Sequence, residues 1–471
     1  MHTFSHKRTL TAAALVMLLG TSSCGFFETE AVTDPNNPSL NAVLSNADKA
    51  QLDALAVGVE ASYRNGHTGN APFNWVAGVL GREVTVLAST ESRWYAELQG
   101  TRTTLDDAAY YNGYYIPFAQ MRRAAQVFRQ SSNNSQAYTA EQKKGVDGFT
   151  HTYEALAKLM MLNMQGENGI RIDLDDPLKP GKFVSQTEAL ANIRQLLDQA
   201  VPELDAAGAT FGFPLSSGYA GFNTPATFKR FNRGLAARVA LYQKDYAGAK
   251  TALAASFLDA AGSLTVGPKL TFNPAIAGDA GNPYFQVPSN TGSTVIGVPD
   301  NVVAEAETGD ARLAKIGRRT AARVTGGISQ INEARVFATN TSPLDIMRNE
   351  ELILISAEAK ANTNDLPGAL ADVNVIRTRA GSLPARTRAF ADVAEATDEI
   401  LRQRRYSLFY EGHAFVDLRR TGRLRPNVVA SAATTFPYTL AFSSTIGTSA
   451  YRLIAAMPRP AAEKAWDSVN P

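Results

Sequence analysis

The sequence predicts a mainly α-helical fold in which helix pairs stack into a superhelical scaffold and one face is rich in loops. Three observations predict it. Apolar residues recur at helical spacing along much of the chain. An Ala-rich helix–turn–helix pattern occurs twice, the second copy 120 residues after the first. Two long stretches, residues 66–115 and 258–345, carry many Gly, Pro, Asn, Thr and Ser residues without strong periodicity, the composition of functional loops.

In chain order, the first element is a leader. Lys7 and Arg8 precede an apolar run from Leu10 to Leu19. That run is too short to span a bilayer, which takes about 20 residues, but suits a secretory signal. Gly20, Thr21, Ser22 and Ser23 are small, and Cys24 follows as the single cysteine of the chain. This is where a lipoprotein signal is cut and the thiol acylated, although Thr21 stands where such signals usually carry Leu. The expected organisation is a signal peptide over 1–23, an acidic flexible tether over 24–39 and one folded body over 40–471. Two or more acyl chains give stable anchoring where one is marginal. No other run approaches the length of a membrane span.

The 471 residues hold 46 Lys plus Arg and 44 Asp plus Glu, a formal charge of +2. Removal of Lys7 and Arg8 with the leader brings this near zero. A near-neutral chain gives no electrostatic case for nucleic acid. One cysteine excludes a disulfide framework and a Cys-based zinc cluster.

Residues 48–65 place Leu52, Leu55, Ala56, Val59 and Tyr63 on one helical stripe. Residues 116–129, 145–165 and 186–206 show the same spacing. The stripe containing Phe149, Leu156, Leu159, Met160 and Met164 reads as core. The repeated pattern aligns Ala237–Ala249 with Ala357–Ala369: Ala237 with Ala357, Asp245 with Asp365, Gly248 with Gly368 and Ala249 with Ala369. In each copy an Ala-rich helix ends in a polar turn and a second helix begins, with Pro367 tolerated in a first turn. Small residues let the two helices approach closely, as in tetratricopeptide pairs.

Catalytic signatures are missing. His67, His151 and His413 lack metal-ligand spacing, and there is no H-E-x-x-H, G-x-S-x-G or P-loop. Asp173, Asp175 and Asp176 lack the remaining ligands of a calcium loop and read as a solvated acidic turn. No catalytic residue, metal or cofactor is expected.

The C-terminal third carries more distinctive residues. Arg348–Ala359 (RNEELILISAEA), Asp372–Gly381 (DVNVIRTRAG), Ile400–Arg420 with its Glu411-Gly412 step and Asp417-Leu418-Arg419-Arg420, and Met457–Glu463 with Asn470-Pro471 occur in that order. Together with Cys24, Asp34–Pro38 and Asn282-Pro283-Tyr284, they resemble the SusD/RagB family of outer-membrane nutrient-binding lipoproteins. Gln403 replaces a usual acid, and His413 a usual basic or aromatic residue. The charged residues of these motifs, Arg348, Glu350, Glu358, Arg377, Glu411, Asp417 and Arg419, read as partly buried pairs that fix helix registry. Gly412 reads as a left-handed residue that ends a helix.

The resemblance implies a surface-exposed, lipid-anchored outer-membrane protein with a SusD-like helical fold. It would bind a nutrient, an oligosaccharide or polysaccharide above all, and deliver it to a SusC-like TonB-dependent transporter without covalent chemistry. Candidate ligand residues are Trp75, Trp94, Tyr95, Tyr110, Tyr114 and Tyr284, because Trp and Tyr give flat faces to sugar rings and polar rims to hydroxyls. At least half of the aromatics in these stretches are expected in the core; Tyr111 and Tyr115 stand at helical spacing. Trp466 is expected to pack. Two alternatives stand beside this reading: a periplasm-facing lipoprotein whose helical repeats scaffold protein assembly, and an all-α glycan hydrolase.

Overall fold

The computed structural model describes residues 39–99, 105–174, 176, 178–424, 429–430 and 451–470. The leader, Cys24, Asp34–Pro38, Asp175 and Pro471 lie outside the described residues, as does the tether up to residue 38.

The architecture is mainly α-helical, with helix pairs packed side by side as the periodicity indicates. The first predicted stripe forms the helix Lys49–Thr68. It begins at Asp48, whose carboxylate accepts from the Gln51 N–H while Gln51 bonds back to the Asp48 N–H. The helices Tyr115–Asn134, Ala140–Gln165 and Gln186–Asp205 follow. Thr139 and Ser185 start the latter two with the same reciprocal cap, which satisfies amide donors that have no partner inside the helix. Ala140–Gln165 is the central element, and nearly every residue from Gly145 onward is buried. Gly148 lets Leu204 of the Gln186–Asp205 helix approach closely, because a Cβ there would meet the Leu204 side chain.

The two Ala-rich copies fold alike. Pro225–Tyr242 pairs with Tyr246–Ala254, and Asn349–Ala361 pairs with Leu366–Arg379. In each copy the turn places one residue in the left-handed region, Lys244 at φ 61° and Asn364 at φ 61°. Then Asp245 or Asp365 caps the second helix by accepting from the N–H of Gly248 or Gly368, both at 2.8 Å. The sequence echo is therefore a shared turn geometry. Tyr246–Ala254 packs on Asn349–Ala361, which joins the two copies.

One feature differs from expectation. The two loop-rich stretches are tied together by a four-stranded antiparallel sheet in the order Thr85–Ala88, Thr294–Val298, Ile328–Ala334, Ile316–Thr325. Thr85 pairs with Gly297, and Gly297 with Glu333. The last two strands form a hairpin that turns at Gly326 and Gly327, both with positive φ, as a tight primed turn requires. The register shifts between Arg318 and Arg323, which turns Arg319 inward to Glu333. The first strand is only four residues long and lies some 200 residues before the others. No local periodicity announces such pairing.

Among the described residues no helix is long and apolar enough to cross a membrane.

Candidate functional site

The charged residues of the C-terminal motifs form a buried frame. Arg348 donates to Glu350 at 3.0 Å, to Glu411 and to the Ser407 carbonyl at 2.6 Å. Arg238 makes a two-pronged pair with Glu351, both contacts at 2.6 Å; this holds the Glu351 carboxyl down at about 2 against the opposing effect of burial. Arg377 bonds Glu399 at 3.1 Å and Glu307 at 2.7 Å. Asp417 accepts from Arg404 at 2.6 Å and Arg420 at 2.9 Å, and Arg420 continues to Glu358 at 2.7 Å. Arg348, Glu358, Arg377, Glu411 and Asp417 are thus helix-to-helix ties.

Arg419 departs from the expected role. Its guanidinium meets no carboxylate among the described residues; it donates to the carbonyls of Ala455 at 3.0 Å and Asn163 at 2.9 Å, and burial lowers its pKa to about 10. The neighbouring Arg420 makes the ion pairs. Both face inward near the end of one short helix, His413–Arg420, and sequence order alone does not say which meets the acids. Gly412 is left-handed, at φ 83°, but it opens this helix rather than closing the one before. His413 is half-buried and held neutral, with its pKa pushed down to about 4 chiefly by desolvation. Gln403 bonds Glu399 at 2.7 Å.

The turn between Ser407 and Gly412 is where this frame meets the loop-rich face. Lys315 donates to the Tyr406 carbonyl at 3.0 Å and also to that of Ser407. Asn74 donates to the Tyr410 carbonyl at 2.9 Å, and the Tyr410 N–H donates to Glu83 at 3.2 Å. Glu83 leads directly into the strand Thr85–Ala88, and Arg93–Ala96 follows that strand. The charge frame therefore sets the position of the segment that carries Trp94 and Tyr95.

Four of the six aromatic candidates come together there. Trp75 and Trp94 meet edge to face at 5.7 Å, and Trp94 and Tyr110 at 5.2 Å. Tyr95 lies against Gly326 at the hairpin tip, where a Cβ would collide with its ring. Trp94 is buried behind this group; Trp75, Tyr95 and Tyr110 are half-buried. Arg93 stacks over Tyr110 at 4.9 Å and is paired with Glu91 at 3.0 Å. The indole N–H of Trp75 and the hydroxyl of Tyr110 have no hydrogen-bond partner among the described residues.

Tyr114 and Tyr284 are placed elsewhere. Both are core side chains with no exposed face, so the expectation that they meet a ligand is corrected. The Tyr114 hydroxyl accepts from Gln165 at 3.0 Å. The Tyr284 hydroxyl lies 3.0 Å from the His67 ring nitrogen and accepts from the Asn74 N–H at 3.3 Å. Each has its polar tip satisfied internally, which is what permits a tyrosine to be buried. The strands that back the aromatic cluster are the part of the site sequence reasoning missed; the Gly326-Gly327 pair between two apolar-containing runs was the available signal.

The closing segment is stapled to the central helix. The Met457 N–H donates to the Met164 carbonyl at 2.8 Å, and Arg171 bonds Glu463 at 2.8 Å and Asp467 at 2.5 Å. Trp466 is half-buried on the closing helix, Ala461–Val469. No group of three or more His, Cys, Asp or Glu side chains suited to a metal occurs among the described residues.

Residues 310–442 match the model of the SusD family. These include most of the charge frame. Surface glycan-binding protein A from Bacteroides uniformis superposes with a TM-score of 0.67 at 14% identity, over 89% of this chain and 98% of that one. A SusD superfamily protein from Bacteroides thetaiotaomicron superposes with a TM-score of 0.65 at 16% identity, over 88% and 97%. A laminarin-binding SusD-like protein gives 0.61 at 18% identity, over 80% and 92%. No curated protein gives a match. A segment of the chain, residues 310–442, thus resembles the SusD family, and the fold along most of its length is the SusD-like fold.

Proposed function

We propose that this protein is a surface-exposed outer-membrane lipoprotein, acylated on Cys24, that captures an oligosaccharide or polysaccharide and delivers it to a TonB-dependent β-barrel transporter. The observation that carries the glycan reading is the cluster of Trp75, Tyr95 and Tyr110 over Trp94, on a SusD-like fold. Half-buried rings offer apolar faces to sugar C–H groups at low entropy cost. Two relatives in fold are named for glycan and laminarin binding, which supports the same ligand class here.

The action is binding without covalent chemistry. The charge frame keeps the ring-bearing segment in place, and the lipid tether holds the protein beside its transporter, so re-encounter is governed by effective concentration. Calorimetric titration with a panel of neutral and acidic oligosaccharides tests the site. At least one glycan should bind, and Trp75→Ala and Tyr95→Ala should each weaken it about tenfold, or about 1.4 kcal/mol, without lowering the melting temperature. Undiminished binding by both variants would move the site elsewhere.

A further inference from the structure

A separate cavity of about 220 Å³ lies between the helix Lys49–Thr68, the loop at Pro214–Ser216 and the strand Lys269–Leu270. Val57, Ala61, Pro214, Leu215 and Leu270 make its walls apolar. Its one inward carboxylate is Glu60, which is only 9% exposed. Among the described residues the hydrogen bonds to Glu60 come from Ser216, by its N–H at 3.2 Å and by its hydroxyl. No cation pairs with it among the described residues. Arg64, one helical turn further on, turns instead to Asp279 and lies over the Phe272 ring at 6.0 Å.

A carboxylate taken out of water without a counter-charge is costly, and interiors normally pair it. Several buried charges among the described residues follow that rule: Arg238 meets Glu351, Arg404 meets Asp417, and Arg319 meets Glu333. Glu60 differs from Glu83, another buried carboxylate without an ion pair among the described residues, in that an apolar cavity opens beside it. The charged residues lining the cavity are Glu60 and Arg64, and Arg64 is paired with Asp279. The last two neutralise each other, so one negative charge remains.

We infer that this cavity is a second binding site, for a small organic cation whose ammonium or guanidinium head sits on Glu60 and whose short aliphatic body lies against Val57, Leu215 and Leu270. The volume is below that of pockets for drug-sized ligands and suits a compact one. Glu60 oxygens keep lone pairs beyond those engaged by Ser216, and a charge-assisted bond there is stronger than a neutral one. Burial pushes the Glu60 carboxyl above its usual range, opposed only by the Ser216 bonds, as expected of a carboxylate that lacks its cation. This inference does not depend on the glycan reading.

The test uses the purified full chain and three probes of one shape: 3-methylbutylamine, 3-methylbutanol and 3-methylbutanoate, followed by ligand-observed NMR. The amine should bind with Kd of about a millimolar or tighter, and at least tenfold more tightly than the alcohol or the acid. Glu60→Gln should weaken the amine at least tenfold. Val57 is 55% exposed, so Val57→Trp can cover the cavity without disturbing the core; it should also abolish amine binding, with the melting temperature and glycan titration unchanged. No binding by the amine, equal binding by all three probes, or amine binding that survives both substitutions would each overturn the inference.

Discussion

Asp417→Asn is expected to destabilise the fold by about 3–5 kcal/mol, the usual cost of removing one partner from a buried ion pair. Among the described residues Asp417 is the only carboxylate bonded to Arg404, whose terminal nitrogens have no hydrogen-bond partner there. It also shares Arg420 with Glu358. All four side chains are buried. The substitution therefore leaves Arg404 charged, dehydrated and unpaired. Adding Arg404→Met should recover part of the loss, because the stranded charge is gone; coupled neighbours behave non-additively. Urea unfolding of the two variants beside the wild type measures this. A change below 1 kcal/mol for Asp417→Asn would show that the motif acid does not hold the helices together.

The second large effect depends on pH. Glu83 is 1% exposed and accepts one hydrogen bond, from the Tyr410 N–H at 3.2 Å, while its other oxygen is without a partner. Burial pushes its carboxyl up to about 8, with the Tyr410 bond opposing. In the unfolded chain it titrates near 4.5. Between these values the native state holds a proton that the unfolded state has lost. Stability contributed by this group is thus full below pH 4.5 and declines as pH rises, by about 1.4 kcal/mol per unit, until pH 8. Glu83→Gln removes the titration and keeps the shape. Near pH 5 the variant and wild type should unfold at similar urea concentrations; at pH 7.5 the variant should be the more stable by roughly 3 kcal/mol. His67 and His413, held neutral with pKa values of about 3 and 4, are common to both proteins and cancel in the comparison. Parallel pH profiles would contradict a buried, protonated Glu83.

The helical scaffold was legible because its signals are local. Leu52, Ala56, Val59 and Tyr63 recur at helical spacing and are all buried. Asp245 and Asp365 cap equivalent helices in both copies of the repeat. The sheet was not legible, since Thr85–Ala88 finds its partner only at Thr294–Val298. Strand pairing across that distance leaves no period in either segment. The aromatic residues were legible as a set but not one by one. Trp75 and Tyr284 are alike in composition and loop context. Yet Tyr284 is buried, with His67 and Asn74 satisfying its hydroxyl, whereas Trp75 is half-buried. Only the assembled structure separates core from candidate surface. Arg419 and Arg420 show the same limit: adjacent, identical in chemistry, and assigned to carbonyls and carboxylates by the direction of one short helix.

The most direct measurement is affinity purification of the tagged protein from detergent-solubilised outer membranes of its native host, alongside a Cys24→Ser form. The wild type should be lipidated on Cys24 and should co-elute with a large TonB-dependent β-barrel. The Cys24→Ser form should lose both the lipid and most of the barrel. A lipidated protein that elutes alone, or with periplasmic proteins only, would contradict delivery to a transporter and favour a periplasmic scaffold built on the same helix pairs.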